Sequence, residues 1–198
     1  MQLTLSRNSP INSVYRNQDG MPLYRVETPF KLVGKTSTVA RFVSNSGTAH
    51  DESVAHVRSD NESDTDIHLM RLEEKEVAQI HWHRFGKTMF KFGDHTVSVG
   101  TYMPYTNLLA WKRDFTASDG RSYQWTLGND TSSLALNDES KTPIARFHQR
   151  SYGVIGKAHK AYLEIYPEGE AIVDEIITTF VYVETRRDER EKAAISGA

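Results

Sequence analysis

Apolar and polar residues along this chain change rhythm twice. Through most of its length they alternate in short runs of β-branched and aromatic residues divided by turn residues, the signature of strands. The runs 2–6, 22–28, 37–43, 66–72, 77–83, 88–92, 95–101, 107–113, 121–127, 132–136, 143–149 and 161–166 are the predicted strands. Within 77–83, Ile80 and Trp82 share one face and His81 and His83 the other. Leu109 with Trp111, and Tyr123 with Trp125, alternate in the same way. Asp19-Gly20, Asp119-Gly120 and Gly93-Asp94 supply turn chemistry, the second as a hairpin turn between two aromatic strands. About a dozen closely spaced strands predict an all-β sandwich or barrel.

The first change of rhythm is at 44–66, SNSGTAHDESVAHVRSDNESDTD, which is polar and nearly free of large apolar groups and reads as a flexible loop. The second is at 170–192, EAIVDEIITTFVYVETRRDEREK. Local propensity favours a strand there. Ile172/Val173, Ile176/Ile177 and Phe180/Val181 nevertheless recur every four residues, acids occupy the first turns, and Glu184 to Arg187 pairs at i, i+3. The segment is predicted to be a helix, apolar on most sides and therefore buried, with a frayed tail after 193.

The 198 residues fit one domain, 1–198, large enough for a core without staples. The absence of cysteine excludes disulfides, thiolate metal sites and a cysteine nucleophile. A net charge of −2 with interspersed signs argues against nucleic acid as a partner. No run approaches the roughly 20 apolar residues of a membrane span. The opening MQLTLSRNSP has no basic n-region, so no leader is expected and the expected location is the cytoplasm.

Candidate chemistry is sparse. His81 and His83 share a strand face and can approach one metal, with His95 or His148 completing the set, while the bland alternative is two solvent-facing residues flanking a core tryptophan. Trp82, Trp111 and Trp125 read as core before ligand pocket, and Tyr102 and Tyr105 as packing on a barrel end. Lys112, Arg113 and Arg121 flank the Asp119-Gly120 turn and form the candidate site for an anionic headgroup. Their alternative reading is ordinary pairing with Asp114 and Asp119. There is no Gly-x-Ser-x-Gly elbow, and GVIGKAHK lacks the spacing of a phosphate loop. No catalytic residue and no cofactor are assigned.

The blocks NSPINSVY and PLYRVETP near the start, IHW at 80–82, RDFTASDGRSYQW at 113–125 and IVDEIITTFVYVETRR at 172–187 together resemble an uncharacterised domain family of basidiomycete fungi. That family looks like a relative of the tubby C-terminal and scramblase-like barrels. The resemblance implies about twelve strands wrapped around a hydrophobic C-terminal helix, with Ile172, Ile176, Ile177, Phe180 and Val181 as its buried face. It transfers no catalytic residue. The expected function is a non-enzymatic binding module for anionic lipid, peripheral to membranes, or for a small ligand. The alternatives are a protein-interaction or regulatory domain, and a metal-dependent enzyme built on His81 and His83.

Overall fold

The computed structural model describes residues 1–30, 34–44, 72–83, 86–106, 111–128, 131–153 and 157–197. Twelve antiparallel strands form one sheet. They are β1 (Gln2–Leu5), β2 (Ser13–Arg16), β3 (Pro22–Glu27), β4 (Thr36–Ser44), β5 (Leu72–His81), β6 (Met89–Phe92), β7 (His95–Ser98), β8 (Lys112–Thr116), β9 (Ser122–Leu127), β10 (Ser132–Leu136), β11 (Pro143–His148) and β12 (Tyr162–Ile165). A four-residue helix, α1 (Val99–Tyr102), follows β7, and a 3₁₀ turn (Pro167–Ile172) leads into α2 (Val173–Ser196). The sheet order β7-β6-β5-β4-β3-β2-β1-β12-β11-β10-β9-β8 is a meander whose chain start pairs with its last strand, Leu3 opposite Leu163.

The sheet curls around α2. Phe180 meets Tyr15 of β2, Trp125 of β9 and Phe147 of β11, while Tyr182 meets Trp82 after β5 and Phe90 of β6. Helix side chains thus touch strands on every side, which is why the first half of the segment is apolar all round. Ile172, Ile176, Ile177, Phe180 and Val181 are all buried. The β-branched run stays helical because the interior supplies packing, and because its threonines spend their hydroxyls locally. Thr178, Thr179 and Thr185 donate to the carbonyls of Asp174, Glu175 and Val181, four residues back. Trp125 Nε1 donates to Thr179 Oγ1 at 2.9 Å.

β7 and β8, the two ends of the sheet order, do not pair with each other. The outer edge of β8 pairs instead with the segment after α1, the Thr106 N–H donating to the Lys112 carbonyl and the Asp114 N–H to the Pro104 carbonyl. Side chains span this seam. Tyr102 of α1 packs against Phe90 and Phe92 on one edge and stacks on Phe115 of β8 at 5.8 Å on the other, and Phe115 stacks on Tyr123.

Several boundaries differ from expectation. The run 95–101 ends as a strand at Ser98, whose hydroxyl accepts the Thr101 N–H and caps α1. The strand expected over 107–113 lies instead at Lys112–Thr116, and 107–110 fall outside the described residues. Strand β2, made of only four residues, was not anticipated. The expected strand 66–72 and the polar loop 44–66 lie outside the described residues except for Leu72, the start of β5, and Ser44, the end of β4. Residues 170–172 belong to the 3₁₀ turn, and α2 continues past 193 to Ser196 with exposed side chains. The 3₁₀ turn approaches β11 so closely that a Cβ on Gly169 would sit 2.9 Å from Ile144 Cγ2. Gly120 takes φ +79° in the β8–β9 turn, and Gly93 φ +56° between β6 and β7.

Candidate functional site at the helix-exit end

Strict antiparallel order assigns every connection to one of two ends. Odd-numbered strands and α2 run toward one end, the exit end, and even-numbered strands run back. The exit end carries the connections 6–12, 28–35, 82–88, 99–111, 128–131 and 149–161. Among their described residues stand Arg7, Lys35, Lys87, Arg150, Lys157 and Lys160, and no acid. All but half-buried Lys35 are exposed. Among its described residues the opposite, entry end carries exposed Asp19, Asp94, Asp119, Asp138, Glu139, Glu168 and Glu170 in its turns, against Arg121 and Lys141. The last turns of α2 bring Asp188, Glu189 and Glu191 to the exit end against Arg186, Arg187, Arg190 and Lys192, so the connections' charge is not offset and a net charge near zero conceals a polarity along the barrel axis.

Exposed large hydrophobic residues follow the same division. Among the described residues, Phe30 (91 % exposed), Tyr152 (73 %), Ile195 (72 %) and Tyr105 (48 %) lie on exit-end connections or on the helix tip beyond them, and only Met1 (37 %) lies at the entry end. Scattered exposed apolar residues are ordinary on a protein surface. Four of the five gathered beside a basic rim form a pattern.

Beneath the rim, α2 leaves the barrel through a buried charge network. Glu184 Oε1 accepts from Arg187 Nε at 2.9 Å and Nη2 at 2.7 Å, and its Oε2 accepts from Ser132 Oγ at 2.8 Å. Arg187 also donates to Asp188 at 2.6 Å and Glu191 at 2.9 Å. Burial opposes charge on Arg187, but the bonds and field of Glu184 outweigh it and hold the guanidinium firmly protonated. Burial, reinforced by Glu184, pushes Asp188 up from 3.8 to about 6 despite the counter-effect of Arg187. A cavity of 230 Å³ opens beside this network, lined among others by Asn8, Gln149, Arg150 and Tyr152.

The structure does not bring Lys112, Arg113 and Arg121 together. Arg113 opposes Trp125 at the exit end of the β8–β9 hairpin, whereas Arg121 sits at the entry-end turn, roughly 13 Å away at ~3.3 Å per residue. Arg113 is turned inward and is 4 % exposed. It donates to the Met103 carbonyl and to Tyr182 Oη, and lies 3.6 Å from the Tyr105 ring centroid. Its charge is thereby engaged in holding α1 and α2 together. Lys112 is exposed at the exit end, beside the rim.

His81 and His83 line one shallow cavity of 310 Å³ with Thr36, Met89 and Thr96. His81 Nδ1 lies 3.4 Å from Thr36 Oγ1 and His83 Nδ1 3.2 Å from the His81 carbonyl. His95 is exposed on β7, and His148 pairs with Glu164 at 2.9 Å on the far side of the sheet order. Among the described residues no three His, Cys, Asp or Glu side chains converge as a metal site would require. Trp82 and Trp125 are core residues, Trp82 donating to Ser37 Oγ at 2.8 Å, and Trp111 is half-buried against Arg190.

Reading residues in order along the chain missed the polarity, because no basic run exists. The signal lies in the parity of the strands, which sends every second connection to the same end.

Among the described residues no helix is long and apolar enough to cross a membrane. No curated protein and no solved structure matches the chain. One family model matches residues 8–189, from the first loop of the exit end to the last buried turns of the helix, and the chain therefore belongs to a family of unknown function (DUF6593).

Proposed function

We propose that this protein is a non-enzymatic binding module that docks its helix-exit end on anionic membrane surfaces. The observation that carries the reading is the coincidence, at one end of the barrel, of a basic rim and exposed Phe30, Tyr105 and Tyr152. Basic residues near an anionic leaflet each contribute about 1 kcal/mol, and aromatic rings favour the headgroup level. The acidic entry end gives the docking a direction, since that end is repelled. The site for the anion is thus a rim to which Lys112 belongs and from which Arg121 is excluded. A meander of twelve strands around a C-terminal helix supports kinship with the tubby-like barrels, and with it a fungal, cytoplasmic protein peripheral to membranes.

Sedimentation with phosphatidylcholine vesicles, with and without phosphatidylserine, tests the proposal. Binding is expected only with the anionic lipid and weakens as salt rises. The variant R150E/K157E/K160E, altered on exposed connections only, is expected to lose binding while keeping its melting temperature. Failure of the unaltered protein to sediment with phosphatidylserine vesicles at low salt overturns the reading.

A further inference from the structure

At the acidic entry end a cleft of 500 Å³ opens where α2 begins, within the size range of small-molecule sites. Leu23, Tyr24, Phe42, Val77 and Phe92 line it from the barrel wall, and Ile172 and Val173 from the start of the helix. Val77 is there because β4 and β5 slip register between Val39 and Ala40. Val39 opposes Ala78 and Ala40 opposes Glu76, so Val77 is the bulge residue without a partner.

Three carboxylates line this cleft, and they are not in the same electrical state: Glu170 is paired with the Met1 ammonium at 3.8 Å, and Asp174 and Glu175 belong to the first helical turn. Asp174 is matched by the Arg41 guanidinium at 3.2 Å and accepts from Tyr24 Oη at 2.5 Å. Glu175 accepts from the Ser118 N–H and O–H, both at 2.9 Å, and from Tyr102 Oη at 3.5 Å. All three donors are neutral, and none of the ion pairs among the described residues includes Glu175. The helix N-terminus offers Glu175 only about half a positive charge. The acidic turns around the cleft mouth add further negative potential.

We propose that this cleft is a binding site for an organic ammonium, a cationic nitrogen carried on a hydrophobic body. The nitrogen sits against Glu175 and the faces of Phe92 and Tyr24, as ammonium groups do against carboxylates and aromatic rings. The body covers Leu23 and Val77. An anionic ligand is repelled by the same carboxylates. The site is at the opposite end from the membrane-docking rim and stands independently of it.

Titration of the full chain with phenethylamine, phenethyl alcohol and 3-phenylpropionate, followed by amide chemical shifts, tests the assignment. Saturable shifts are expected at Leu23, Val77, Phe92, Ser118 and Glu175 with the amine, at least tenfold weaker binding of the alcohol, and none of the acid. Glu175→Gln is expected to abolish the preference for amine over alcohol. Val77→Trp, which fills the cleft from a half-buried bulge, is expected to block both probes and keeps the test decisive should Glu175→Gln fold poorly. R150E/K157E/K160E is expected to bind the amine normally. Equal binding of amine and alcohol, shifts centred elsewhere, or no saturable shift up to the solubility of the amine overturns the proposal.

Discussion

Arg187 and Glu184 face each other inside the mouth of the barrel, one helical turn apart, with side chains only 4 % and 1 % exposed. Two of the guanidinium nitrogens reach one carboxylate oxygen, and Ser132 of β10 satisfies the other. The pair fixes the depth of α2 in the barrel, since sliding the helix would strip both charges of partners where their side chains are almost wholly removed from solvent.

Breaking this pair from one side leaves the other charge buried and uncompensated. Glu184→Ala or Arg187→Ala is expected to cost about 3–5 kcal/mol, whereas Glu184→Leu with Arg187→Met costs far less than the two single losses together. Urea denaturation of the four proteins measures the coupling.

Asp188 gives the fold a pH dependence of definite sign. Its folded carboxyl, pushed up from 3.8 to about 6, holds its proton more tightly than the unfolded chain does. The group therefore stabilises the fold most below its unfolded value, and that contribution is lost as pH rises through about 6. Burial is the main cause of the shift, Glu184 and Glu191 reinforce it, and Arg187 and Lys192 act against it. Asp188→Asn is expected to flatten this dependence and to raise the melting temperature at neutral pH by about 2–4 °C. Thermal melts of both proteins between acidic and neutral pH check it.

The helix core carries the fold as a whole. Phe180→Ala removes the ring shared by Tyr15, Trp125 and Phe147 and is expected to cost about 3–5 kcal/mol. Ile177→Lys places a charge at a fully buried position and is expected to unfold the protein. Circular dichroism during denaturation reads both. An unchanged melting temperature for Ile177→Lys is incompatible with a central helix.

Where β7 and β8 do not pair, the ring of Tyr102 joins Phe90 and Phe92 of β6 to Phe115 of β8, beside the backbone pairing of Tyr105 with Arg113. Tyr102→Ala is expected to raise amide exchange in β7 and β8 well before the rest of the sheet opens. Exchange measured by mass spectrometry on peptides from 95–98 and 112–116 shows it.

On the exit end, Phe30→Ser with Tyr152→Ser removes apolar groups that touch little of the folded protein. Burial of one large apolar side chain contributes about 1.5–3 kcal/mol, so affinity for phosphatidylserine vesicles is expected to fall at least about tenfold with no change in melting temperature. Equal sedimentation of variant and parent assigns the docking to charge alone.

Alternation was legible wherever a strand is half buried, as in β9, where Tyr123 and Trp125 point inward between polar neighbours. It failed at β2, where Ser13 and Tyr15 face inward over only four residues and one of them is polar. That omission mattered beyond its length. Without β2 the direction of β3 and β4 is reversed until the extra strand expected at 66–72 restores it at β5, and the connection carrying Phe30 and Lys35 is assigned to the wrong end. The same reading placed Arg113 beside Arg121 because it ended the strand at 113, when the strand runs on to Thr116 and aims Arg113 inward.

Local periods were legible in the order of residues: the period of two that makes a β protein, the period of four that makes the segment after Ile172 a helix in spite of β-branched residues, and the Asp-Gly turns. These depend on neighbours a few positions away, so one dimension contains them. Which ends the connections share, which arginines stay in solvent and that no ion pair reaches Glu175 emerge only in three dimensions. Each of those is set by pairing between residues far apart in the chain, Leu3 with Leu163 or Ser132 with Glu184, and charge acts through the space that such pairing creates.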